Sequence, residues 1–268
     1  MTISPALPAL IACTRMAIQR TWIYRSRMVL WIIRNVIMLF SLRMIWTAVY
    51  GDRDVMNGVT LHMMIVYVTI AMLQQYLIDT VSSAEIERRV QRGTVAGDLI
   101  RPVGLIPQML AYDVGFVIGR IPLILVMLPF AALVGSLALP PTALSILGYL
   151  VSLLLAYILS VLIWLPVGLL GFWVINATGI RFLMFSVLAF VSGQMVPLWF
   201  MPDGLRTLLE WLPFQGMAYT PLSIYVGQLE GAEIVRALGI QAAWIMVMAI
   251  LVRWIWSKAQ NVVQIQGG

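Results

Sequence analysis

The chain has little charge and almost none of three chemically useful residue types. Its 268 residues include one histidine (His62), one cysteine (Cys13) and one lysine (Lys258). A phosphate-binding loop of the form G-x-x-x-x-G-K-[ST] needs its lysine to reach the β- and γ-phosphates of a nucleotide. Ala259 follows Lys258, so this chain cannot hydrolyse ATP with such a loop. A single histidine excludes an H-E-x-x-H zinc protease and any Ser–His hydrolase that draws a second histidine. A lone cysteine excludes an intramolecular disulfide and a cysteine metal site. Charged residues make up only 10% of the chain, against 62% hydrophobic residues and a mean hydropathy of +0.95. A soluble domain must wet its surface and does not tolerate that ratio. The chain is expected to be an integral membrane protein, without metal and without catalytic residues of its own.

What is present is hydrocarbon in long runs. A bilayer core of about 30 Å takes roughly 20 helical residues to cross, and lipid offers the backbone no hydrogen bonds, so such runs must be helices. Six are expected, at Met28–Tyr50, Val59–Thr80, Pro107–Leu137, Thr142–Trp173, Phe182–Phe200 and Val235–Trp256. The third and fourth exceed a simple crossing, and Pro122, Pro129 and Pro166 mark points where each could bend. The architecture is thus all-α: one transmembrane domain over residues 1–268, with an interfacial N-terminal helix in 1–27 and polar segments at 84–102 and 201–213. Met1–Ala12 lacks an early basic region and does not read as a cleavable signal.

Basic residues accumulate on the cytoplasmic side of a membrane protein. Arg15, Arg20, Arg25, Arg27, Arg88, Arg89, Arg92, Arg101, Arg181, Arg253 and Lys258 fall on one side of the six runs, and Arg53, Arg206 and Arg236 on the other. Both termini are therefore expected inside, and the net charge of +6 reflects topology and not nucleic-acid binding. Leu7–Arg25 mixes apolar residues with Arg15, Arg20 and Arg25, as in an amphipathic helix on the inner leaflet with Trp22 at headgroup depth.

The polar island between the second and third runs begins with Glu85-Ile-Glu-Arg-Arg-Val-Gln-Arg92. Glu85 is spaced to pair with Arg88 and Arg89, whereas Arg88 and Arg92 share a face and repel. Such a face suits an acidic partner surface; the plain alternative is an ordinary basic cytosolic loop. Gly93 should end the helix, Asp98 interact locally, and Arg101-Pro102 break the chain. In the outer connection, Pro202 and Pro213 bound a short helix whose Leu205, Leu208, Leu209 and Leu212 share a face, with Arg206 and Glu210 at i, i+4. Gly193 and Pro197 predict an irregular, re-entrant approach to it. Of the few ionisable groups near the membrane, Asp113 is expected to pair with Arg120, seven residues on, and His62 to be an interfacial side chain.

These features in this order resemble a known family. A basic N-terminal helix and two spans lead to an island ending Gly93-Thr-Val-Ala-Gly-Asp-Leu-Ile-Arg-Pro102, and four more spans follow. The fifth runs into Ser192-Gly-Gln-Met-Val-Pro-Leu198, then Pro202, Leu212-Pro-Phe214, Pro221 and Tyr225-Val-Gly227. The chain resembles the permease subunit of a bacterial ATP-binding-cassette exporter of the type-two transporter class. The resemblance implies that Glu85, Glu87, Arg88, Arg89, Arg92, Gly93, Asp98 and Arg101 belong to a coupling segment for a separate ATPase, which would carry the ATP and magnesium. It implies an external gate at Pro197, Pro202, Leu205, Leu208, Leu209, Leu212 and Pro213. It also implies a second permease chain, identical or related, meeting this one through spans one, two and five. Gln74, Gln75, Tyr76 and Gln194, with Asn176 and Thr178, are polar positions for a shared pathway, although such groups more often hydrogen-bond between helices. An amphiphilic small molecule or drug is the expected cargo, a lipid or metabolite the alternative. A proton-coupled transporter would want a paired carboxylate at mid-span and an internal repeat; Asp113 is its weak candidate.

Overall fold

A computed structural model of the protein describes residues 6–23, 25–99, 103–174 and 176–266, and the side chains of 25–27, 96, 99 and 263–266 lie outside that description. The chain opens with helices α1 (Ala6–Ile23) and α2 (Arg25–Tyr50). A hairpin of β1 (Val55–Met56) and β2 (Val59–Thr60) follows, turned by Asn57 and Gly58, both with positive φ, as the tightest hairpin turns require. Thr60 caps α3 (Leu61–Ile78) by accepting the Met63 N–H at 3.2 Å. After α4 (Ser82–Gln91) and α5 (Val95–Leu99) comes α6 (Leu105–Val134), which continues through Pro122 and Pro129. Thr142 caps α7 (Ala143–Leu169) in the same manner as Thr60. The chain closes with α8 (Thr178–Val191), α9 (Asp203–Trp211), α10 (Tyr219–Tyr225) and α11 (Ala232–Gln266).

Among the described residues five helices are long and apolar enough to cross a membrane: α2, α3 with its continuation into α4, α6, α7 and α11. The chain is a multi-pass membrane protein. The fifth expected run differs. Its helix α8 has 14 residues, about 21 Å at 1.5 Å per residue, and stops at Val191. Gly193 then turns with φ of +77°, its Cα backed so closely by Tyr219 that a Cβ would lie 2.9 Å from the Tyr219 Cβ. The irregular stretch after it is packed in protein: the Tyr67 hydroxyl donates to the Gly193 carbonyl at 2.7 Å, and the Tyr219 N–H to the Ser192 carbonyl at 2.9 Å. Its backbone is thereby satisfied away from lipid.

α3 is the centre of the bundle. Every residue from Met64 to Gln74 is buried, between α2, α6, α7 and α10. The expectation that span two meets a second permease is thus corrected, because its faces are already covered. Exposed apolar faces lie on α2, α8 and α11, with Leu30, Ile37, Phe182, Leu183, Val235 and Ile250 each at least 60% exposed, and on α6 and α7, as at Leu133 and Leu147.

α1 also departs from expectation. It packs along α6 through small residues at every fourth position, Ala111, Gly115 and Gly119, a spacing that lets helix backbones approach. Thr14 Oγ1 donates to the Ala111 carbonyl at 3.0 Å, and a Cβ on Gly115 would collide with the Thr14 carbonyl. Leu7, Ile11, Met16, Trp22 and Ile23 remain exposed, while Arg20 turns onto Glu85 and Tyr112.

Candidate functional site

The polar helix α4 is held on its rear face by contacts from several other helices. At its start, Asp113 of α6 accepts the Val81 and Ser82 N–H groups on Oδ1 at 2.8 and 2.9 Å, which satisfies two otherwise orphaned donors of a helix terminus. Asp113 therefore does not pair with Arg120. Arg120 instead reaches Asp79 at 2.7 Å, because Asp113 is drawn to the nearer backbone amides of α4. Ile86 is fully buried in a cluster with Met109, Leu165, Leu169 and Val252. Where α7 ends, Gly168 allows the α4 backbone to come close: a Cβ there would lie 2.5 Å from the Ser83 Cα.

Two carboxylates of α4 face inward. Glu87, 3% exposed, accepts the Ala177 N–H at 2.8 Å at the start of α8 and forms an ion pair with Arg181. Glu85 collects three arginines, Arg20 at 3.0 Å, Arg88 at 2.9 Å and Arg89 at 3.4 Å. Burial works against the Arg20 cation, yet the Tyr112 hydroxyl and Glu85 outweigh it and raise its pKa above the usual arginine value. Arg89 also reaches Asp98 at 2.8 Å, tying α5 to α4.

The opposite face is exposed. Arg88 keeps 37% of its side chain exposed, and Gly93 and Thr94 are exposed beyond it, with Gln91 and Arg92 at the same end of the helix. Gly93, with φ of +68°, closes the helix: its N–H bonds the Val90 carbonyl and that of Thr94 the Arg89 carbonyl, both at 3.0 Å. This is the paired-bond helix ending that glycine favours. Of the expected coupling residues, Glu85, Glu87, Arg89 and Asp98 turn into the fold and Arg88, Arg92 and Gly93 face out, while Arg101, with Pro102, lies outside the described residues.

The expected pathway residues do not converge. Gln74, 1% exposed, donates to the Met217 carbonyl at 3.0 Å, and Tyr76 is buried edge-on against Trp31. Only Gln75 and Gln194 share a small cleft, with Ser192. Asn176 and Thr178 form the start of α8, the Asn176 side chain accepting the Thr178 N–H. In α9 the Arg206–Glu210 pair forms at 2.7 Å, but its leucines divide. Leu209 is 3% exposed, whereas Leu205 and Leu208 are 39% and 57% exposed. Of the four leucines expected to share a face, this chain covers Leu209 and partly buries Leu212, since α9 rests on the turns at 198–200 and 213–217.

Sequence reading missed Arg20, Asp113, Gly168 and Arg181 as supports of α4. The glycines Gly168 and Gly171 at the end of an otherwise bulky span were the one local signal. The family model for ABC-2 family transporter protein matches residues 36–267, most of the chain. No curated protein matches it.

Proposed function

The chain belongs to the ABC-2 transporter family, and from that premise we propose that it is the permease subunit of an exporter. The family's members are generally membrane subunits without catalysis, the ATPase activity lying on a separate subunit. One observation carries the reading to this chain: α4 is fixed from behind by Asp113, Glu87, Ile86 and Gly168, yet presents Arg88, Gln91, Arg92 and Gly93 to water. A polar helix held so firmly by its rear face is suited to receive force from a partner. Arg88 and Arg92 contact an acidic groove of the ATPase. Glu87 passes the movement to α8 through Ala177 and Arg181, and Glu85 passes it to α1 through Arg20.

In this reading the chain crosses the membrane six times, α8 and the irregular segment after it making one re-entrant crossing, with both termini in the cytoplasm of a bacterial inner membrane. Two permeases, identical or related, meet through the exposed faces of α2 and α8, two ATPases bind below, and α9 closes the outer side. The cargo is an amphiphilic small molecule or drug, for which the 17 methionines and 10 tryptophans offer adaptable contact. Exposed ion pairs contribute about 0.2–1 kcal/mol each, so the test replaces two arginines at once. Arg88→Glu with Arg92→Glu should leave membrane insertion intact and lower recovery of the ATPase from membranes; undiminished recovery refutes the coupling face.

A further inference from the structure

A cavity of about 520 Å³ opens between α1, α2, α4 and α6, within the roughly 300–1,000 Å³ typical of small-ligand sites. Its wall shares Arg20, Glu85 and Arg88 with the coupling route proposed above, but the space itself has no part in that route, and Ala17, Arg20, Thr21, Met28 and Trp31 of its wall precede the residues that the family model matches. Its lining is divided along α6. At one end Tyr112 stands with Arg20, Glu85 and Arg88; at the other Phe116 and Leu123 stand with Met28 and Trp31. Tyr112 to Leu123 spans 11 residues, about 16 Å along the helix.

The charges at the polar end do not cancel. Arg20 and Arg88 both rest on a single oxygen of Glu85, at 3.0 and 2.9 Å, and Arg89, whose other carboxylate partner is Asp98, takes the second. Deeper in, Arg120 is balanced by Asp79 and lies over the Phe116 ring at 3.8 Å and the Trp31 ring at 4.8 Å. The lining therefore carries three guanidiniums and one carboxylate, Arg120 resting on the two aromatic rings that form its apolar part, the floor, with Met28 and Leu123. Guanidinium forks match the oxygens of a phosphate, and the floor has no use for a free ion.

We propose that this cavity binds the headgroup of an anionic phospholipid, the phosphate between Arg20 and Arg88 and the start of the acyl chains along Phe116 and Leu123. Trp22, Ile23 and Leu30 are exposed on α1 and α2, two of the helices that frame the cavity, which is the apolar surface a lipid-side entrance would need. Assignment to the cytosolic leaflet rests on the topology proposed above; the binding itself does not.

The test uses the full chain, purified alone and exchanged into micelles containing equal phosphatidylglycerol and phosphatidylcholine, with retained lipid counted by native mass spectrometry. Both lipids offer a phosphate, but the choline cation of phosphatidylcholine would stand beside guanidiniums that one carboxylate does not balance, so phosphatidylglycerol should be retained about tenfold over phosphatidylcholine. Arg20→Gln with Arg88→Gln should bring the ratio near one. Leu123→Trp leaves every charged group in place and fills the floor, so it should lower retention even if the double variant folds poorly. Equal retention of the two lipids by the wild type overturns the proposal, as does a preference that survives both variants. Displacement of the lipid by inorganic phosphate as readily as by short-chain phosphatidylglycerol overturns it too, since the floor would then contribute nothing. ATPase recovery is not read in this experiment, so its failure leaves the coupling face standing.

Discussion

Gly168 sits so close to Ser83 that a single added methyl would lie 2.5 Å from the Ser83 Cα. The neighbour there is backbone and cannot swing aside, so α4 and the end of α7 are fitted to each other at this point. Overpacking of a well-packed site costs about 1–3 kcal/mol, and here relief is available only by moving α4.

Gly168→Ala should therefore lower the melting temperature of the purified chain and, if α4 receives the ATPase, reduce ATPase recovery. Gly171→Ala is the milder control, since its Cβ would meet the Glu87 Cα at 3.2 Å. Equal effects of the two substitutions would show that the fit at Ser83 has no special weight.

Asp113 separates the exporter reading from a proton-coupled one. Its Oδ1 is occupied by two backbone donors, while its buried Oδ2 has no hydrogen-bond partner among the described residues, which is the feature a proton carrier would display. An asparagine in its place would keep an accepting oxygen but carry no exchangeable acid. Asp113→Asn should preserve fold and transport, whereas Asp113→Leu strands two donors at about 1–3 kcal/mol each and should unseat α4. Abolished transport in a well-folded Asp113→Asn protein would favour the proton carrier.

The parts of this arrangement that could be read from sequence are those within one turn of helix. The Glu85–Arg88, Glu85–Arg89 and Arg206–Glu210 pairs follow from spacing, and Gly93 ends α4 because glycine alone takes its backbone angle without strain. The long spans were legible because lipid permits little else. The supports of α4 were not, since Arg20 meets Glu85 across 65 residues and Ala177 meets Glu87 across 90. Asp113 was assigned to the nearer arginine in sequence, when unpaired amides of another helix were nearer in space. The stripe Ala111, Gly115, Gly119 was present in the sequence but hidden inside a run read only for its hydrophobicity.

The topology rests on arginine bias alone and can be probed directly. In a Cys13→Ser background, a cysteine at Asp54 or Glu230 should react with an impermeant thiol reagent added outside intact cells, and one at Gln91 should not. Glu230 is preferable to the adjacent Gly231, whose φ of +51° strains any side chain. Labelling at Gln91 from outside would invert the chain and remove the coupling role of α4.

Helix α9 gives the sharpest contrast between neighbouring leucines. Leu209 is 3% exposed and Leu208 57% exposed, so the same substitution should act through different routes. Leu209→Asp buries a charge without a partner, at a cost of several kcal/mol, and should reduce the yield of folded protein. Leu205→Asp with Leu208→Asp touches a face that this chain leaves uncovered, where surface changes fall within about 0.5 kcal/mol, so melting and ATPase recovery should stay normal. If α9 closes the outer side against a second permease, that face is buried only in the pair, and export should fall despite the intact fold. A surface helix resting in the outer leaflet predicts no such loss, because its leucines would merely rise toward headgroups. Full-strength efflux by the double variant would therefore remove the gate while leaving the permease assignment untouched, since in the proposed topology the lesion lies across the membrane from α4.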